Sequence, residues 1–234
     1  MGKRPGDGDF DERRMKARER LNSLVGSSGD NPRERRTWFE QVYDLADGDP
    51  AAVPWADLAP KPALLNWLAA NPGEGLRAID IACGLGDNAE ALAAADYRTK
   101  AFDLAHGAIE WARRRFPDSG VDYCVGDLFD LPPDWHGSFD LVHEYYTIQA
   151  LRGELRQAAF AAIANLVAPD GTLFVVCRSR DEGAAIEGPP WPLSPGELTA
   201  FEDLGLERVS QRSFAIDQRG RTIPHLETVY RKRH

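Results

Sequence analysis

The run Arg77 to Ala94, Arg-Ala-Ile-Asp-Ile-Ala-Cys-Gly-Leu-Gly-Asp-Asn-Ala-Glu-Ala-Leu-Ala-Ala, constrains this chain more than any other stretch. Ala78 to Ala82 is short, mostly apolar and suited to a buried parallel strand. Gly84 and Gly86 break it, and an alanine- and leucine-rich helix follows over Asn88 to Ala95. Glycines here let the backbone approach a ligand with no Cβ in the way. The first turn of the helix offers amide N–H groups near Asp87 and Asn88 that have no partner within the helix. The stretch therefore reads as a nucleotide cradle, against the plainer alternative of a strand–turn–helix corner. Asp80 and Asp87 argue against a pyrophosphate, because each sets a carboxylate in or beside the turn. A cationic ligand with an amino-acid end suits it better.

The chain beyond the turn alternates. Strand 2 spans Thr99–Leu104, and its Asp103 lies about 20 residues past the glycines, a spacing that suits a carboxylate accepting from ribose hydroxyls. A helix follows over His106–Arg115. Strand 3, Val121–Gly126, ends at Asp127-Leu128-Phe129, where Asp127 is positioned for an adenine amino group and Leu128 for the ring face. Strand 4 is Phe139–Tyr145, then a helix over Arg152–Val167, a turn at Pro169-Asp170-Gly171 and strand 5 at Thr172–Cys177. Five strands separated by helices predict a parallel, doubly wound α/β sheet. Glu182 to Pro195, rich in Gly and Pro, predicts a substrate loop, and a helix runs from Pro195 to near Gly205. Leu206–Ser213 and Leu226–Arg231 alternate apolar and polar residues around Gln218-Arg219-Gly220, which predicts a β-hairpin.

Asp80 with Gly84 and Gly86, Asp103, Asp127 and the Pro169-Asp170-Gly171 turn together resemble the class I S-adenosylmethionine-dependent methyltransferases from about Pro62 to His234. The resemblance implies a Rossmann-like, seven-stranded, mostly parallel sheet closed by the C-terminal antiparallel hairpin, with an N-terminal helical lid. It implies S-adenosyl-L-methionine as methyl donor, S-adenosyl-L-homocysteine as product and no metal. The residues it places around the donor are Asp80, Ala82, Cys83, Gly84, Gly86, Asn88, Asp103, Leu104, Asp127, Leu128 and Glu144, with Trp38 and Trp55 above. A narrower likeness is to the thiopurine methyltransferase and tellurite-resistance group. Trp38, Tyr43, Pro54-Trp55 and Pro62-Ala63-Leu64 match its leading segment, and Gly188-Pro189-Pro190-Trp191 its loop after strand 5. That group often shows Asp-Arg after strand 4, where this chain has Glu144-Tyr145. The likeness implies a small-molecule substrate.

Methyl transfer from a sulfonium is an in-line displacement in which charge is consumed, so a dry site and good positioning supply much of the help. A hydroxyl acceptor wants a general base within hydrogen-bond reach, whereas a thiolate needs none. His143, Glu144 and Tyr145 are the catalytic candidates, and Tyr146, Arg178 and Trp191 the substrate-binding ones, with Asp181 nearby in sequence. Alternation along a strand puts Tyr145 and Tyr146 on opposite faces, so at most one is expected in the pocket. His143, Trp38 and Trp55 are equally readable as core residues, and Arg178 with Asp181 as a surface pair.

Charge narrows the partners. Net charge is −9, yet residues 1–36 carry 10 Lys/Arg against 7 Asp/Glu and residues 206–234 carry 7 against 3. The acidic centre repels phosphate backbones and argues against nucleic acid, while the basic ends leave room for such a partner or are simply solvated. The three cysteines lie in or beside buried strands and no Cys/His cluster has metal spacing, which predicts a reduced, cytoplasmic protein without disulfides. No apolar run approaches the roughly 20 residues that cross a bilayer, and Met1 to Glu12 has no apolar signal segment. The expected division is a polar extension at 1–36, a helical lid at 37–75 and the methyltransferase domain at 76–234. In the extension, Phe10 to Val25 predicts a helix with Met15, Leu21, Leu24 and Val25 on its apolar side, followed by a linker over Gly26 to Pro32. Such an extension packs on the domain or on a second copy in a homodimer, or stays solvated. Rival readings are an RNA or protein methyltransferase, a non-catalytic S-adenosylmethionine-binding module and a dinucleotide oxidoreductase.

Overall fold

The computed structural model describes residues 8–22, 32–186, 188–218 and 221–233. Its strands are β1 (Arg77–Ile81), β2 (Arg98–Asp103), β3 (Asp122–Val125), β4 (Phe139–Tyr145), β5 (Val167–Arg178), β6 (Leu206–Gln218) and β7 (Arg221–Lys232). Its helices are α1 (Gly8–Asn22), α2 (Pro32–Ala46), α3 (Pro62–Leu68), α4 (Asp87–Ala94), α5 (His106–Arg115), α6 (Gly153–Leu166) and α7 (Ala200–Asp203). The strands form one sheet in the order β3-β2-β1-β4-β5-β7-β6. β1 to β5 are parallel, while β7 runs antiparallel to both β5 and β6. The strand order reverses between β1 and β4, and a crevice outside the carboxyl ends of a doubly wound sheet opens at such a switch point.

The central strands are buried on both faces, which is why they read as apolar runs. Ile79, Ile81, Val142, Leu173 and Val175 face Phe160 and Ile163 of α6. Ala78, Leu141, Phe174 and Val176 face Leu64 and Leu68 of α3 and Leu92 of α4. Each of these larger side chains contributes about 1.5–3 kcal/mol by leaving water. Proline at the first position of α2 and α3 costs no helical hydrogen bond, because that amide has no partner within the helix.

Several expected boundaries move. Pro169-Asp170-Gly171 is a bulge inside β5, not a turn before it. The register jumps from Phe139↔Val167 to Leu141↔Thr172, and Asp170 takes φ 58°. The hairpin strands extend past the expected ends, because backbone pairing continues to Gln218↔Arg221 where side-chain alternation no longer signals it. The helix expected from Pro195 begins with a 3-10 turn at Glu197–Thr199 and becomes α7 only at Ala200.

α1 buries Phe10 and Arg14, whereas Met15, expected on the apolar side, is 52% exposed. The Arg14 guanidinium lies 4.7 Å from the Phe10 ring centroid and donates to the Ala56 carbonyl. An arginine stem thus covers apolar surface that a hydrophobic residue was expected to cover. Leu24, Val25 and the Gly26–Asn31 part of the linker lie outside the described residues. α2 is continuous across positions 36 and 37, where a division was expected. No helix among the described residues is long and apolar enough to cross a membrane.

Candidate functional site

The turn after β1 alternates left-handed residues: Ala82 at φ 51°, Gly84 at 54° and Gly86 at 88°. The Cys83 amide donates to the Phe102 carbonyl of β2 at 2.9 Å. One Asp103 carboxylate oxygen accepts from the Gly84 amide at 2.9 Å and the other from the Ala105 amide at 3.0 Å. Asp103 therefore ties the glycine turn to the end of β2, and each of its oxygens keeps a second lone pair. Burial pushes its carboxyl up to about 6, against the pull of the two amides, with Glu40 and Asp80 adding to the rise. Ala82 pays for a left-handed backbone that costs an L residue about 1–2 kcal/mol, partly offset by the looser unfolded chain of glycine. Ala82→Gly is expected to raise stability by about 0.5–1 kcal/mol, read as a shift in thermal midpoint; a lower midpoint would contradict this.

The acids around the turn have distinct partners. Asp80 Oδ1 lies 2.6 Å from His143 Nδ1, while Asp80 Oδ2 and His143 Nε2 are buried without a hydrogen-bond partner. Asp87, expected to bias the turn against anions, is held by two 2.7 Å bonds from Arg115, so its charge is neutralised. Asn88 Oδ1 accepts from the Lys61 amide at 2.9 Å, which joins α4 to the lid. Asp127 accepts from Arg35 Nη2 at 3.2 and 3.3 Å and from the Phe129 amide. Leu128, expected against a ligand ring, is buried and packs with the main core. Leu104 is half-buried, and burial pushes the Cys83 thiol well up.

At the end of β4 the pleat separates the catalytic candidates. His143 pairs in register with Asp80 and stacks on Phe174, on the face that meets α3 and α4. Glu144 lies on the opposite face; its Oε1 accepts from the Thr147 and Ile148 amides at 2.5 and 3.1 Å, and its Oε2 is buried without a partner. Both residues are fully buried. Burial pushes Glu144 up to about 7, opposed by those amides and reinforced by Asp80. Native Glu144 thus holds its proton to a higher pH than the unfolded chain does. Its stabilising contribution is present below about pH 4.5 and is lost as pH rises through about 7, by up to about 3 kcal/mol. Glu144→Gln is expected to remove this loss, read from urea unfolding at pH 5 and pH 8. Equal pH slopes in the two proteins would contradict it.

Tyr145 and Tyr146 do not face apart as expected. Their ring centroids are 4.4 Å from each other, because Tyr146 takes φ 75° and ends the strand's alternation. Trp55 donates to the Tyr43 hydroxyl at 3.0 Å, and this pair covers Gly84. Trp38 packs 6.0 Å from Trp55. Arg178 sits at the end of β5, where its Nε is buried without a partner. Trp191 is buried beside Arg152, its amide bonded to the Gln149 carbonyl and its carbonyl to Arg156. These contacts anchor the loop after β5. Asp181 is exposed.

Sequence reasoning missed the polar side of the lid. Glu40 accepts from the His106 and Gly107 amides at the start of α5, and the Arg35 guanidinium lies 4.8 Å from the Phe129 ring centroid besides reaching Asp127. On an amphipathic helix such residues read as a solvated face, and nothing local marks their distant partners. His225 of β7 was missed for the same reason.

Residues 78–171 match the family model described as a methyltransferase domain. The chain is 34% identical over 126 residues to a ubiquinone biosynthesis O-methyltransferase of Xanthomonas campestris pv. campestris, covering 53% of this chain and 52% of that protein. It is 29% identical over 147 residues to a cypemycin N-terminal methyltransferase of a Streptomyces species, covering 61% and 55%. The chain thus spans about half the length of the curated relatives it matches. Its fold is similar to that of a Burkholderia thailandensis 1,6-didemethyltoxoflavin-N1-methyltransferase solved with 1,6-didemethyltoxoflavin and S-adenosylhomocysteine bound. The TM-score is 0.69 at 18% identity, over 88% of this chain and 92% of that one. This likeness covers most of the chain, and it is a likeness of fold.

Proposed function

We propose that this chain, whose residues 78–171 match a methyltransferase domain, transfers a methyl group from S-adenosylmethionine to an O, N or S atom of a small molecule. One observation carries the reading. The bond from the Gly84 amide to Asp103 joins the bend after β1 to the acid ending β2, with Asp127 after β3 on the same edge of the sheet. That arrangement suits an adenosyl group laid across three neighbouring strands. The buried Asp80 Oδ2 lacks a partner, and an amino-acid ammonium is the kind of donor that would satisfy it. Asp103 would take the ribose, Asp127 the adenine edge once shared with Arg35, and Trp38 and Trp55 would exclude water from above. Ala82, Cys83, Gly84, Gly86, Asn88, Leu104, Leu128 and Glu144 would form the walls and floor. The names of the ubiquinone-pathway and toxoflavin relatives support a small-molecule acceptor. We keep residues 76–234 as the catalytic unit, with α2 and α3 as its lid, in a reducing compartment.

The test is titration calorimetry with S-adenosylhomocysteine and with NAD, paired with thermal unfolding. S-adenosylhomocysteine at about 100 times its dissociation constant is expected to add about 2.7 kcal/mol of stability, while NAD has no effect. Binding of NAD alone, or of neither, would overturn the reading.

A further inference from the structure

A second cluster lies on the same edge of the sheet, beyond β4. The Tyr146 hydroxyl is 2.6 Å from His225 Nε2, and His225 Nδ1 is 2.8 Å from the Ile223 carbonyl. A carbonyl only accepts, so Nδ1 carries the ring proton and Nε2 accepts from the Tyr146 O–H. Phe214 of β6 and Tyr146 stack on His225 at 5.2 and 5.6 Å. β7 runs antiparallel beside β5, and it is this pairing that sets His225 opposite Arg178 at the crevice end. Tyr146, Phe214, Lys61 and Arg178 each keep part of their surface exposed, so the cluster is open to a ligand. Tyr146 also holds a left-handed backbone, unfavourable for an aromatic residue and concentrated in proteins at functional sites.

We propose that Tyr146 and His225 form a proton relay on the acceptor side of the crevice, and that the acceptor is a planar phenol. This rests on the methyl-transfer reading above. The phenol oxygen bonds to the methyl carbon as the carbon–sulfur bond breaks, and the sulfonium leaves as a neutral thioether. The phenol proton passes to the Tyr146 oxygen while the Tyr146 proton passes to His225 Nε2. Once the product has left, the buried imidazolium returns it through the hydroxyl of half-buried Tyr146 to water. Tyr146 is the catalytic residue, and His225 acts through it.

Charged groups from four elements face the pair. From the lid, the Lys61 ammonium lies 5.5 Å from the Tyr146 ring centroid and is itself paired with Asp57. From β5 comes Arg178, its Nε without a partner. Tyr145 adjoins from β4, and Arg212, paired with Glu227 of β7, lies 5.2 Å from the Phe214 ring centroid. Burial lowers the His225 value against the bond to the Ile223 carbonyl, and Arg178 and Lys61 lower it further, so the resting ring is neutral and the imidazolium is only a transient carrier of the proton. Burial raises the Tyr146 hydroxyl to about 12, against Tyr145 and Arg178, so Tyr146 is protonated at rest and donates to His225.

4-Nitrocatechol tests this, because its ionisation is visible in the absorption spectrum. With S-adenosylhomocysteine present it is expected to bind, and its ionisation midpoint to fall by about one pH unit or more. Tyr146→Phe and His225→Gln should each return the midpoint towards the free value while leaving S-adenosylhomocysteine affinity within about twofold. A purely structural role for the pair would not move the spectrum in this way. Binding of S-adenosylhomocysteine without 4-nitrocatechol, an unshifted midpoint, or variants that retain the shift would each overturn the relay alone. Failure of S-adenosylhomocysteine to bind the unaltered protein would overturn the reading beneath it.

Discussion

Asp103→Ala is expected to lower affinity for S-adenosylhomocysteine by about 100-fold or more, as measured by calorimetry. Two losses combine. The carboxylate proposed to accept from the ribose disappears, and a hydrogen bond to a charged group is worth about 1.5–3 kcal/mol. The Gly84 and Ala105 amides also lose their shared acceptor, so the turn that must meet the ligand is no longer held. Leaving two buried donors unsatisfied costs about 1–3 kcal/mol each, so the variant should also unfold at lower urea. Part of that cost is returned above pH 6, because burial raises the Asp103 value to about 6 and the native protein carries a buried charge there. Asp103→Asn separates the two effects. It keeps one acceptor oxygen for the turn, so it should recover more stability than affinity. Wild-type affinity in the Ala variant would remove Asp103 from the site.

Gly86→Ala is expected to destabilise the fold by about 3 kcal/mol or more, read from chemical unfolding. A Cβ at Gly86 would sit 2.4 Å from the Tyr123 hydroxyl oxygen and 3.0 Å from its ring. Tyr123 is only 3% exposed, and its hydroxyl donates to Glu90 at 2.7 Å, so the ring has little freedom to retreat. At φ 88° an L side chain adds backbone strain to the clash. Gly84→Ala makes the informative contrast. Its Cβ would meet only the Tyr43 hydroxyl and Trp55 at 3.7–3.9 Å. It should cost less stability while narrowing the space under the lid. Equal stability of Gly86→Ala and the native chain would show that the turn can relax in a way these contacts do not suggest.

What the chain's own sequence determined is the sheet and the bend. Ile79, Ile81, Val142 and Val175 sit in strands buried on both faces, so their apolar runs carry the signal locally, and Gly84 and Gly86 mark a backbone few other residues adopt. The acids at Asp80, Asp103 and Asp127 were legible because they recur where strands end. Their partners were settled only by the tertiary structure. Arg115 on Asp87, Arg35 on Asp127, His143 on Asp80 and Tyr146 on His225 are pairs separated by 28 to 92 residues. Side-chain periodicity reports which way a residue faces its own element, and it carries no record of what the folded chain brings opposite. The left-handed Tyr146 shows the same limit at one residue: strand alternation set it apart from Tyr145, and the turn ending β4 laid the two rings side by side.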